Sequence, residues 1–183
     1  METIDEIRRM VLEGHFEITV HAREKMAERG VSTEDLISLI INGEIIEDYP
    51  DDFPYPSILI MGYIFEEAFH VVAAKGNNLV KVVTVYRADE ENMAQSSDTK
   101  DVDDLFLCGR GKLHEGFTEL KIRVKETLLV IKNVPARVCD LCDEAYISPE
   151  TSRRIDEIME KYHAGKLVVK PIPAGEIDLK QTA

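Results

Sequence analysis

Cysteine is scarce in this chain: three in 183 residues, two of them close together. An odd and small count fits poorly with a secreted disulfide scaffold and better with metal binding in a reducing compartment. Long apolar runs are missing too. No stretch approaches the ~20 consecutive apolar residues of a membrane helix, and the opening "METIDEIRRM" places charges where a secretory apolar segment would lie. A cytoplasmic location and no membrane partner are therefore expected. Basic residues are outnumbered, 22 Lys and Arg against 35 Asp and Glu, and the net charge of −13 argues against general polyanion binding. There is no internal repeat and no low-complexity tract. A chain of this length with 44% hydrophobic residues suits one ordinary soluble domain or two small ones.

The charge is unevenly placed. Residues 1–92 hold eight Lys and Arg against nineteen Asp and Glu, a balance of −11 that leaves −2 for the rest. Any nucleic-acid contact must therefore come from a local cluster, because the mean field of either half is repulsive. The stretch "ADEENMAQSSDTKDVDD", residues 88–104, is acidic, polar and without apolar periodicity, as expected of a linker.

In the first half, Ile4, Ile7, Val11 and Leu12 recur at helical spacing before Gly14. "FEIT" reads as a short strand. "VHAREKMAERG" reads as a helix capped by Thr19 and stopped by Gly30, and "STEDLISLIING" as a third helix in which Ser32 and Asp35 are spaced like a capping box. After Asn42-Gly43 the pattern changes to β-branched and aromatic runs, "EIIEDYP", "SILIMGYIF", "FHVVAAKG" and "LVKVVTVYR", which read as an antiparallel meander. In the second half, "FTELKIRV" and "LLVIKNV" flank Lys125-Glu126-Thr127 as a hairpin, and "SPETSRRIDEIMEKYHAG" reads as a helix with Ser148 as N-cap and Pro149 at its first position.

"VCDLCDE", residues 138–144, is half of a zinc knuckle, and tetrahedral zinc needs four ligands. Two knuckles joined by a hairpin bring distant cysteines around one metal, and a residue that tolerates positive φ after each lets backbone N–H groups point at the sulfurs. Gly109, after Cys108, meets that requirement, and Asp143, after Cys142, is a tolerable substitute. The Cys-Gly-x-Gly-x-Leu turn, the hairpin and "VPARVCDLCDEAY" leading into a helix together resemble the YgiT-type zinc finger of MqsA-like antitoxins, over roughly residues 104–170. In that family the first knuckle is Cys-x-x-Cys, and Leu105 stands at its first position here. Three readings stay open: His114 completes a Cys3His site with Cys108, Cys139 and Cys142; a carboxylate such as Asp104, or water, completes a weaker one; or the cysteines pack as small apolar groups without metal.

"ITVHAREKMAERGVSTEDLISLIINGEIIEDYP", followed by strands ending in "VVTVYRADEE", resembles a family of uncharacterised small domains near the RelE, HigB and BrnT toxins, over about residues 15–90. The resemblance implies a metal-independent endoribonuclease toxin, with RNA or the ribosome as partner. Such cleavage uses the RNA 2′-hydroxyl as nucleophile, so the protein supplies a base, an acid and cations. His21, Lys25 and Arg29 lie four apart along one side of the second helix, whose N-terminus favours an anion. Tyr86 and Arg87 close the last strand, where a phenol suits proton donation and a guanidinium suits phosphate. The expected catalytic set is His21, Arg29, Tyr86 and Arg87; Arg23, Lys25 and Lys81 are expected at RNA phosphates, and His70 is a weaker candidate. Against these stand plainer roles: His21 ordering a turn, Lys25 and Arg29 salt-bridged among Glu24, Glu28 and Glu34, Tyr86 packed, and His70 structural.

The expected architecture is α+β: N-terminal helices on an antiparallel, RelE-like sheet over residues 1–90, a linker over 91–104, and a small zinc-ribbon-like hairpin domain with a C-terminal helix over 105–183. The expected function is a nuclease toxin joined to its inhibitor through an intramolecular contact, without a cofactor in the first half; a non-catalytic regulatory protein with a degenerate finger is the alternative. A homo-oligomer is compatible with either. DNA binding is not expected, because no helix-turn-helix follows the finger-like segment.

Overall fold

The computed structural model describes residues 2–76, 78–88 and 111–172. The expected linker over 91–104, Leu105 and Cys108 lie outside the described residues. In chain order the elements are α1 (Glu2–Leu12), β1 (Phe16–Thr19), α2 (Val20–Arg29), α3 (Thr33–Asn42), β2 (Glu44–Tyr49), β3 (Ser57–Ile64), β4 (Glu67–Lys75), β5 (Val80–Arg87), β6 (Leu113–Val124), β7 (Thr127–Cys139), β8 (Ala145–Ile147) and α4 (Pro149–His163). The fold is α+β. Among the described residues no helix is long and apolar enough to cross a membrane.

Local signals explain most boundaries. Thr19 Oγ1 accepts from Ala22 N at 3.0 Å, which caps α2, and the same hydroxyl donates to Val83 O on β5 at 2.9 Å, which ties the cap to the sheet. Gly30 stops the helix at φ 68, a left-handed conformation that costs glycine nothing. Ser32 and Asp35 form the full capping box of α3. In α1 the buried face is Ile4, Ile7, Met10 and Val11, while Leu12, counted among the apolar stripe from spacing alone, points outward and is 67% exposed.

The strands form one eight-stranded sheet in the order β2-β3-β4-β5-β1-β8-β7-β6. β2 to β5 are the expected antiparallel meander. The sheet is mixed rather than antiparallel, because β1 inserts parallel to β5, with Glu17 opposite Lys81. Nor does the β6–β7 hairpin stand as a separate ribbon. The three-residue β8 pairs antiparallel with β1, Ile18 opposite Ile147, and with β7, Arg137 opposite Tyr146, so it joins the two halves into one sheet.

One face carries α1, α2 and α3 over a core that includes Phe16, Ile18, Leu36, Ile60 and Val82. On the same side α4 lays Ile155 and Met159 against Ala27, Ile122, Ala136 and Ile147, so this second cluster draws on both halves. The edge strand β6 is closed by α2: Glu24 Oε1 accepts from Lys121 N at 2.6 Å and Glu28 Oε1 from Arg123 N at 3.3 Å. Carboxylates thus occupy backbone donors that an open edge would offer to another chain. Burial raises the Glu24 carboxyl above its ordinary range, and the Lys121 hydrogen bond opposes the shift.

Candidate functional site

The meander ends where β4 and β5 lie side by side, and four of the candidate side chains lie near that end, two on each face of the sheet. His70 stands opposite Tyr86, and their rings meet edge to face with centroids 5.2 Å apart. Arg29, on the last turn of α2, donates through Nη1 to Val85 O at 3.2 Å, which brings the helix end to the strand just before Tyr86. Arg87 Nε lies 3.0 Å from Glu67 Oε2, and its guanidinium sits over the Phe69 ring at 5.9 Å. Alternation divides them between the two faces: Tyr86 packs with Val72 and Val83 on the side away from α1–α3, with His70 opposite it, whereas Arg87 over Phe69 and Arg29 of α2 lie on the helix-bearing side.

His21 is placed differently. It is half-buried on the first turn of α2, eight residues before Arg29, which is about 12 Å of helix rise. Lys25, between them on the same stripe, pairs with Glu28 at 3.1 Å.

Arg23 and Lys81, both expected at RNA phosphates, lie inside the protein. Helical spacing rotates Arg23 away from the Lys25 stripe and under α4, where its side chain is 0% exposed and Nη2 donates to Asp156 Oδ1 at 2.6 Å. Asp156 Oδ2 accepts from Thr33 N at 2.9 Å and from Thr33 Oγ1 at 2.6 Å. Thr33 Oγ1 also meets Ser152 Oγ at 2.8 Å. Since the Thr33 proton goes to Asp156, Ser152 is the donor in that pair.

Strand alternation turns Lys81 to the sheet face opposite α1–α3. It is 7% exposed there, with Nζ 3.7 Å above the Tyr146 ring, beside the Glu17–Arg137 ion pair. Burial pushes the Lys81 ammonium down to about 8, while Glu17 pulls it back up; burial also raises the Tyr146 phenol and, near them, the Glu144 carboxyl. A consequence for stability follows. The folded pKa of Lys81 lies below its ordinary 10.5, so between pH 8 and 10.5 the unfolded chain binds more protons and stability rises with pH. The gain is at most about 3 kcal/mol, and less where water reaches the ammonium. Urea unfolding across that window measures it, and Lys81→Met is expected to flatten the profile.

The second half contributes a turn. Cys139 is buried and Cys142 exposed. Asp143 N donates to Cys139 O at 3.2 Å, Cys139 N donates to Glu144 O at 2.9 Å, and Asp143 takes φ 60, the left-handed conformation expected after a knuckle. Gly111 packs so closely that a Cβ there would collide with Cys139 Sγ, and Lys112 N donates to Asp140 Oδ1 at 2.8 Å. The chain three residues after Cys108 is therefore held against the Cys139 thiol. His114 does not join it. Leu113 is the residue opposite Cys139, whereas His114 is opposite Val138, and alternation along the strand sends the imidazole to the other face. No group of three or more His, Cys, Asp or Glu side chains placed to hold a metal occurs among the described residues; Cys108 is not one of them.

Sequence reasoning did not single out Glu17, Thr33, Arg137, Tyr146 or Asp156. Glu17 carried a signal, being the one charge in the four-residue strand "FEIT", where every position is buried. Asp156 carried none, since an aspartate amid Arg153, Arg154 and Glu157 reads as a solvated helix face.

Residues 18–87, from β1 through β5, are similar to a family described as a domain of unknown function (DUF4258). This agrees with the resemblance of that segment to an uncharacterised small-domain family. Searches of curated proteins and of solved structures found no match to the chain.

Proposed function

We propose that residues 1–90 are a metal-independent endoribonuclease domain of the RelE-like toxin class, and that the C-terminal half is its covalently joined inhibitor. The observation that carries this reading is the way the second half clasps α2, the helix bearing His21, Lys25 and Arg29: β6 engages Glu24 and Glu28, and α4 engages Arg23. A tether of this kind holds the partners at roughly millimolar effective concentration, so even a weak contact is largely occupied. In this scheme Arg29 and Arg87 hold the phosphate on the helix-bearing face, His21 of the same face is the base, and Tyr86, on the other face at the strand end, donates its proton to the leaving oxygen around the end of β5. RNA cleavage by the full chain, compared with that of an Asp156→Asn chain whose clasp is weakened, tests it. Higher cleavage by the variant supports inhibition; equal and negligible cleavage counts against the nuclease.

In the same reading zinc is held by Cys139 and Cys142, with Cys108 as a third sulfur, and its role is to tie the base of the hairpin to the chain before it. The left-handed Asp143 and the close seat of Gly111 on Cys139 suit one knuckle, while the register of His114, opposite Val138 rather than Cys139, leaves it out of the ligand set in this reading. Elemental analysis of purified protein is expected to find close to one zinc per chain, falling below half in Cys139→Ser. Wild-type protein without zinc would leave the cysteines as packing groups.

One observation favours a second reading, a non-catalytic interaction protein with a degenerate finger. Arg23, Lys25, Arg29 and Arg87 are each engaged within the fold, with Asp156, Glu28, Val85 O and Glu67 respectively.

A further inference from the structure

The Arg23–Asp156 contact has the form of a filled oxyanion site. The carboxylate of Asp156 lies at the N-terminus of the ten-residue α3, where it accepts the first backbone N–H, from Thr33, and the Thr33 hydroxyl, and it faces the Arg23 guanidinium. A helix N-terminus, a hydroxyl and a guanidinium converging on one point make an anion site. The residues that build it all belong to the first half, and the anion that fills it belongs to the second.

The fit of that anion is incomplete. Asp156 engages only Nη2 of Arg23, whereas a guanidinium meeting its matched ligand presents two parallel N–H groups. Nε and Nη1 of Arg23 are buried and without a hydrogen-bond partner among the described residues, although the side chain is 0% exposed. A carboxylate offers two oxygens, both already in use here. A phosphodiester likewise offers two charged oxygens, but they are spread on a tetrahedral centre whose two ester oxygens add weaker acceptors in other directions, which suits the unused donors of a buried guanidinium.

We infer that Arg23, Thr33 and the N-terminus of α3 form a phosphate-binding site, that its ligand is a backbone phosphate of RNA, and that Asp156 occupies it as an intramolecular stand-in. The inference rests on the nuclease reading for the identity of the ligand, and on the geometry alone for the site. Ser152, which donates to Thr33 Oγ1, and Arg153, whose Nε meets Glu34 Oε1 at 2.7 Å, secure α4 over it. Inhibition in this scheme is competition: α4 must withdraw before a phosphate enters, so ligand and C-terminal helix exclude each other.

Thermal unfolding of the full chain tests this, in phosphate and in chloride of matched ionic strength. Wild-type protein is expected to show no phosphate-specific shift, because its site is filled. Asp156→Ala is expected to gain about 5 °C in Tm at saturating phosphate. The gain should vanish in Arg23→Met/Asp156→Ala. Should Asp156→Ala not fold in chloride, recovery of its folding by phosphate supports the site, and Asp156→Asn, which keeps an acceptor beside Arg23, gives the same reading. Absence of a phosphate effect in both variants overturns the site. An all-deoxy oligonucleotide, which lacks the 2′-hydroxyl and is not cleaved, is expected to act as phosphate does; phosphate binding without it overturns the backbone assignment. No cleavage is read in these measurements, so an inactive nuclease leaves the site standing, and a missing phosphate effect leaves the nuclease reading standing.

Discussion

Asp156→Ala is expected to destabilise the folded chain by about 3–5 kcal/mol, since it strands a guanidinium that no water reaches. Two effects add. The wholly buried Arg23 side chain loses its one charged partner among the described residues, and the Thr33 N–H and hydroxyl lose the acceptor they share. Burial already pushes the Arg23 guanidinium below its ordinary range, with Asp156 opposing that shift, so little besides the carboxylate stabilises the charge. Arg23→Met is expected to cost less, because Asp156 keeps its two Thr33 donors and 18% of its side-chain surface is exposed. The pair Arg23→Met/Asp156→Ala should then fall well short of the sum of the single costs, with a coupling of about 2–3 kcal/mol between contacting residues. A urea-unfolding cycle over the four proteins measures this. Additive losses would show that the two side chains do not depend on each other.

The second large effect concerns RNA cleavage. In the Asp156→Asn chain, where the clasp is weakened, Tyr86→Phe and His21→Asn are each expected to lower cleavage about 10²–10⁴-fold, the range for removing a proton-transfer group. That corresponds to about 2.7–5.5 kcal/mol of barrier. Tyr86→Phe is the sharper of the two, because it deletes one oxygen and keeps the ring against His70 at the 5.2 Å centroid distance. His21→Asn is a test of position as well as chemistry, since His21 lies about 12 Å of helix rise from Arg29. A large loss for Tyr86→Phe with none for His21→Asn would move the base from His21 to His70, which already touches the phenol. No loss in either would remove the nuclease assignment and leave the interaction-protein reading.

The clasp and the site are related by charge. The first half carries −11 net, so a phosphate approaching it meets repulsion everywhere except where cations converge. Among the described residues Arg29 and Arg87 converge at the end of β5, and Arg23 with the α3 N-terminus makes the second such place. The C-terminal half sets an acid, Asp156, against one of them, and through Arg137 and Arg153 meets the first half's acids Glu17 and Glu34. Complementary pairing of this kind fixes register between two surfaces more than it adds affinity.

Much of this protein is written locally in its sequence. The caps at Thr19, Ser32 and Ser148, the stops at Gly14 and Gly30, the four-strand meander and the hairpin around Lys125 each depend on neighbours within a few residues, so spacing and residue type suffice to place them. The left-handed residue after the cysteine turn belongs with these. Three decisions came only with the tertiary structure: β1 entering parallel beside β5, the three residues of β8 joining both halves into one sheet, and Arg23 and Lys81 turning inward while Lys25 stayed outside. Each of them sets residues side by side that lie more than sixty apart in the chain, such as Glu17 with Lys81 and Arg23 with Asp156. A periodic pattern reports which face of an element is apolar. Which partner that face meets, and which charge is buried against which, is decided by packing the elements together, because a buried charge is tolerated only where another element supplies its counter-charge.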